Sequence, residues 1–379
     1  MKKLMRVLAI ALCLVLMLSV FASCKKTDTE LKTVRLCVHS NEGAALTAIG
    51  LEQGIFEKHG IDVDLTIVDA GPPEMAAMRA DNRTLDIGYI GSGVAWNAIE
   101  KSGNELSFLF LDYLGNSENL LAKKGIFTDS NKNGTYDVDE IYNGLKGQKI
   151  YFQTGATPGQ YFKNLIEVLN EGKSADKQLW YTCEVSDYMT GYTAPNSDPA
   201  YRIEIVNYEN SMIAAGMSTQ DASGVQIAIA YSPVTTTILS SNTNVEFICA
   251  YDVLPASKAS IGSWVASNKW IEEDPETVQK VVDALLESAC YRTEHIDEAI
   301  AAAERLLQKP EGSLNKGVVR SISASEYKEW FANKNATGYE YMKALYDNRK
   351  VAVPEGSPIK TFEESFNDSF LLNAIKNMK

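Results

Sequence analysis

The sequence has little of what hydrolases, metalloenzymes and redox proteins usually depend on. Its 379 residues hold three histidines, His39, His59 and His295, and six cysteines with no CxxC pair among them. His59, in EKHGID, and His295, in TEHIDE, sit in polar stretches that read as surface. There is no GxSxG elbow, no HExxH helix, no P-loop and no zinc-ligand set. Positive charge is also scarce. Against 49 Asp and Glu stand 36 Lys and Arg, a net charge of −13 at pH 7. A chain this acidic is a poor partner for nucleic acid or for anionic lipid, although a single pocket sets its own local field. No internal repeat is present. The longest apolar run, residues 7–21, falls short of the about 20 residues that a membrane span needs.

That short run is informative in its own right. Lys2, Lys3 and Arg6 surround its start, the pattern of an export signal. FASC follows, with small residues just before Cys24, and resembles the lipobox of bacterial lipoproteins. Phe21 stands where that motif usually has leucine. On this reading residues 1–23 are removed, Cys24 is lipidated, and residues 24–32 form a polar tether to the membrane. The other readings are a plain signal peptide cut near Ala22 and a retained anchor helix. The remaining cysteines, Cys37, Cys183, Cys249 and Cys290, are widely spaced. Cys37 and Cys249 lie in strand-like apolar runs and read as small buried residues. An exported chain also permits a disulfide.

From residue 33 onward, strand and helix patterns alternate. VRLCVHS, IDVDLTIVDA, LDIGYIGS and LSFLFLDYL read as strands. EGAALTAIGLEQGIFEKHG, PEMAAMRADN and GVAWNAIEKS read as the helices between them, the first stopped by Gly60. This order predicts a parallel sheet with helices on both faces. A second α/β unit follows, with KIYF, LWYTC, YRIEIVNY, VQIAIAYSP and VEFICAY as strands and PGQYFKNLIEVLNEG as its longest helix. Beyond Ile261 the chain turns mostly helical. Asp274 is a predicted N-cap with Pro275 at the first helical position, and Val278, Val281, Val282 and Leu285 share one face.

Five pieces occur in a telling order: GLEQGIFEKHGIDVDLTIVDAG, DNRTLDIGYIGSGVAWNAI, LKGQKIYFQTGATPGQYF, VQIAIAYSP and EEDPETVQKVVDALLES. Together they resemble the solute-binding proteins of ABC importers for nitrate, taurine, aliphatic sulfonates and thiamine-pyrimidine precursors. The resemblance covers about residues 33–300. It implies a type II periplasmic-binding-protein fold: two α/β lobes, each with a mixed sheet, that close on a small ligand like a Venus flytrap, with a mostly helical C-terminal extension. Residues 33–118 and 247–379 would form lobe 1, and residues 119–246 lobe 2.

Open α/β sheets bind ligands at the carboxyl ends of their strands. Small polar residues stand there: Ser40 and Asn41 after His39, Ser92 and Gly93 after Gly91, Thr154, Gly155, Ala156 and Thr157, and Tyr231 with Ser232. Helix starts offer free N–H groups and a positive dipole end, which together suit an oxyanion. Each such residue alone also reads as an ordinary cap. Asp112 and Tyr113 end a strand near the expected hinge, where a carboxylate would take an amine or simply sit at the hinge. Trp264 would stack on a ligand ring or pack in a core.

One stretch stands apart. In DSNKNGTYDVDE, residues 129–140, Asp129, Asn131, Asn133, the Thr135 carbonyl, Asp137 and Glu140 fall on the six ligand positions of an EF-hand loop, with Gly134 at the turn. The flanks read as a strand before and a short helix after, not the two helices of a sensor. The expectation is a structural Ca2+ clip in an insertion of lobe 2, against the alternative of an ordinary Asp/Asn/Gly-rich turn.

The expected function is capture, not catalysis. A monomeric, lipid-anchored, extracytoplasmic protein would bind a small anion of the sulfonate, taurine or nitrate class and deliver it to an ABC permease and its ATPase. A heterocyclic thiamine precursor or a riboflavin-like ligand is the alternative. An enzyme on the same fold is the rival of another class, and the cysteine-rich motif of the pyrimidine synthases is missing.

Overall fold

The computed structural model describes residues 31–69, 71–80, 82–91, 105–183, 194–218, 224–255, 258, 260–352 and 358–378. Cys24, the expected helix from GVAWNAIEKS, and Ser92 with Gly93 lie outside the described residues.

Twelve strands are described: β1 (Lys32–His39), β2 (Ile61–Val68), β3 (Ile87–Gly91), β4 (Leu106–Gly115), β5 (Glu118–Lys123), β6 (Lys149–Phe152), β7 (Trp180–Cys183), β8 (Arg202–Asn207), β9 (Ile227–Tyr231), β10 (Val245–Cys249), β11 (Ser260–Ser267) and β12 (Val319–Ser321). They form two six-stranded sheets, ordered β12-β4-β11-β3-β1-β2 and β10-β5-β9-β6-β8-β7. In the first, β1 is parallel to β2 and β3, while β11 lies antiparallel between β3 and β4. In the second, β7, β8, β6 and β9 are parallel, and β5 is antiparallel between β9 and β10. The parallel sheet expected from the alternating pattern is therefore mixed. Each sheet admits one strand, β5 or β11, that has just arrived from the other, and it enters in the opposite direction.

Local sequence explains these placements. β4 reads LSFLFLDYLG, a nearly continuous apolar run, and is buried along almost its whole length because both faces are covered. β2 is an edge strand and alternates, with Asp62 and Asp64 exposed. Charge on an open edge discourages pairing with another chain. Cys37 in β1 and Cys249 in β10 are buried as small core residues.

The long helix expected after β1 is broken into a 3-10 turn, Glu42–Ala44, and two helices, Ala45–Glu52 and Ile55–Lys58. Gly54, at φ 65°, makes the break, a left-handed conformation that costs glycine little. Helix Ala45–Glu52 is covered by Pro275–Glu294 and Ile296–Leu306 from the C-terminal part. The cap there is as expected: Asp274 accepts a 3.1 Å bond from the Thr277 N–H, and Pro275 opens the helix. The C-terminal part is mostly helical, yet it is no appendage. It supplies β12 to the first sheet and shares one hydrophobic core with it. The second sheet has separate apolar clusters on its two faces.

Candidate functional site between the two lobes

Among the described residues, the chain passes between the sheets twice, from β4 to β5 and from β10 to β11. The two passages lie side by side. Ser260 pairs with Gly115, and the Tyr251 N–H donates 3.2 Å to the side-chain oxygen of Asn116. A cavity of about 50 Å³ sits at this junction. The first lobe contributes His39, Asn41, Glu42, Tyr89 and Tyr113 to its walls, and the second contributes Ala156, Thr157, Tyr231 and Glu118, which opens β5 and so belongs to the second sheet and not, as expected, to lobe 1. No lysine or arginine is among its described lining residues. An open cleft of about 250 Å³ continues outward and shares Asn41, Asp69 and Tyr231 with the cavity.

Carboxyl groups dominate the cavity. Glu42 is 2% exposed, and its Oε1 accepts a 2.9 Å bond from the Asn315 N–H and another from the hydroxyl of Ser232, across the lobes. Glu118, the first residue of β5, is also 2% exposed. Its Oε1 accepts from the Thr157 hydroxyl, while its Oε2 is buried with no hydrogen-bond partner. The hydroxyls of Ser117 and Tyr251 lie near enough to ease its ionisation, yet none meets Oε2 in hydrogen-bonding geometry. Burial raises the pKa of both carboxyls above their ordinary range, because the charged form loses its water. Asp69 stands exposed at the mouth. Behind the wall, His39 Nε2 lies 2.7 Å from the fully buried Glu74.

Aromatic rings form the other wall. The hydroxyls of Tyr89 and Tyr113 are 2.5 Å apart, and their rings are nearly parallel at 6.0 Å. Gly262 permits this packing, since a Cβ there would fall 2.4 Å from the Tyr113 ring. The lobes also touch at Gly91, where a Cβ would come 2.5 Å from the methyl group of Thr157.

Several expected ligand residues line this space. Asn41, Tyr113, Ala156, Thr157 and Tyr231 face the cavity, and Ser40 and Ser232 face the outer cleft. Others are corrected. Asp112 is fully buried and forms an ion pair of 2.7 Å with Arg292, itself fully buried, so no carboxylate is left for a ligand amine. Trp264 is a core residue, 0% exposed, whose indole N–H donates 3.2 Å to Asp112. Thr154 is buried and its hydroxyl donates to Asn207, while Gly155 lines neither space. Sequence reasoning missed Glu42, Glu118 and Tyr89. Glu42 looks like any acidic residue in a helix's first turn, and Glu118 like a polar residue in a linker. Only their burial against the other lobe singles them out.

Loop 129–140 wraps on itself. Asp129 accepts from the N–H groups of Asn133 and Gly134, and Glu140 returns to accept from those of Ser130 and Asn131. Asp137 and Glu140 form a reciprocal cap on helix Val138–Leu145. β5 precedes the loop and that short helix follows it. Among the described residues, no three His, Cys, Asp or Glu side chains gather as a metal-holding group. Half of the loop's six expected ligands are Asn side chains or a main-chain carbonyl.

The chain aligns with a protein of Brucella abortus (strain 2308) named no further than as a candidate binding protein. The two are 23% identical over 275 residues, 72% of this chain and 70% of that one. The nitrate-binding protein NrtA of Synechocystis PCC 6803 shares the fold with a TM-score of 0.62 at 10% identity, over 92% of this chain and 90% of that one. The sulfonate-binding protein SsuA of Methylobacillus flagellatus KT does so with a TM-score of 0.59 at 17% identity, over 92% and 94%. No family model matches the chain. At these identities the likeness is one of fold. That fold is the two-lobed one of periplasmic solute-binding proteins, as the sequence led us to expect.

Proposed function

We propose that this protein is the extracytoplasmic solute-binding component of an ABC importer, a capture protein with no catalytic role. One observation carries the reading. The cavity lies where the chain crosses between lobes, and its walls come from both. A solute held there contacts both lobes only when they are closed, so binding shifts the population toward the closed form by its differential affinity. The closed form would dock on a membrane permease driven by an ATPase, with a lipid on Cys24 holding the protein nearby. The anion class expected from the sequence draws support only from the ligands named for NrtA and SsuA, since the cavity lining holds Glu42 and Glu118 and no basic side chain among its described residues. A ring compound draws support from Tyr89, Tyr113 and Tyr231.

The test is to extract purified protein with denaturant, identify any released small molecule by mass spectrometry, and add it back. The expected result is compaction in small-angle X-ray scattering and a higher Tm. If neither an extracted molecule nor any solute from a broad panel compacts the protein, the reading fails.

We also propose that loop 129–140 binds Ca2+ as a clip within the second lobe. The support is its spacing and the way Asp129 and Glu140 close the loop from its two ends. An exported chain meets enough calcium to fill even a weak site, with a dissociation constant of about 10⁻⁴–10⁻³ M.

A further inference from the structure

We propose that the solute bears a compact cationic nitrogen group, an amidinium, a guanidinium or a primary ammonium, received between Glu118 of the second lobe and Glu42 of the first. This rests on the solute-binding reading and specifies its chemistry. Glu118 Oε2 is the strongest pointer: a buried carboxylate oxygen that no protein group satisfies, in the cavity wall. A buried acceptor without a donor is costly, and a charged N–H donor is its best partner.

The surroundings agree. Two hydroxyls that would serve an anion are already committed as donors to carboxylates, Thr157 to Glu118 and Ser232 to Glu42. No basic side chain is among the described lining residues, and Lys309 stands in the outer cleft. Tyr89, Tyr113 and Tyr231 add aromatic surface to the walls, although the Arg292 guanidinium already lies over the Tyr113 ring at 5.5 Å. At about 50 Å³ the cavity admits only a compact head group.

The same geometry couples charge to closure. Glu42 and Glu118 line one cavity from opposite lobes, and closing the lobes withdraws water from both carboxylates. A cation between them offsets that loss and favours the closed form.

Three planar isosteres separate the charge signs: guanidinium, nitrate and urea, with acetamidinium, acetate and acetamide as a second set. Each is titrated into the full protein at millimolar concentration and neutral pH, at equal ionic strength, by calorimetry and thermal melting. The expected result is binding of the cations and not of their anionic or neutral partners. Glu118→Gln should weaken that binding tenfold or more. Glu42→Gln is the second variant, and circular dichroism confirms that each folds. Binding of nitrate or acetate in preference to the cations overturns the proposal and leaves solute capture standing. So does failure of both cations to bind, or cation binding unchanged in both variants. Failure of solute capture itself shows separately, as no compaction with any solute.

Discussion

Two groups of acidic residues in this protein have the same chemistry and opposite surroundings. In the cavity, Glu42 and Glu118 are buried, one oxygen of Glu118 lacks a donor, and both pKa values are raised by loss of water. In loop 129–140 the main chain points its N–H groups at Glu140, and those bonds lower its pKa. The loop's charge is stabilised locally by some ten residues of sequence. In the cavity the donors that reach these carboxyls offset the loss of water only in part, and Glu118 Oε2 is left without a hydrogen-bond partner. Asp112 is the third case: as buried as Glu118, but matched by Arg292 and by the Trp264 N–H. A carboxylate's role here follows from which donors reach it, not from the residue type.

The comparison breaks most severely at Asp112. Arg292→Met would leave a buried carboxylate unpaired, which costs about 3–5 kcal/mol. Urea denaturation should show that loss, and adding Asp112→Asn should restore much of it. An unchanged midpoint for Arg292→Met would mean the pair carries no net stabilisation.

A smaller effect is expected at Glu118, and it depends on pH. Its folded pKa is raised above the ordinary value of about 4.3. Its contribution to stability is therefore complete below that ordinary value and is lost as pH rises through the raised one. Glu118→Gln never ionises. Without solute it should exceed wild type by about 1–3 kcal/mol at about pH 8 and match it near pH 4. A gap that stays constant with pH, measured by melting, would remove the buried charge from the account.

The smallest effect belongs to the loop. Calcium should raise the Tm of wild type by about 2–4 °C over chelator, and Glu140→Ala should abolish the difference. A variant that responds to calcium as wild type does would reduce the loop to a self-bonded turn.

Much of the fold was legible because its signals are local. Apolar runs marked β3, β4 and β9, Asp274 with Pro275 marked a helix start, and the loop's ligand spacing could be counted. What could not be read was pairing across the chain. Whether β11 would enter its sheet antiparallel depends on a strand that leaves one lobe and returns to another. Asp112 looked like a ligand because Arg292, 180 positions away, was not in view. Trp264 at a strand looked like a stacking platform because nothing in its neighbours showed that both faces of β11 are covered.

The sequence by itself determined the alternation of strand and helix and the self-contained loop at 129–140, since each rests on neighbours within a few turns of chain. Tertiary structure alone decided which carboxylates are satisfied. Burial is a property of where elements meet, and Glu42 and Glu118 become the cavity's acids only because two lobes close over them and withdraw their water.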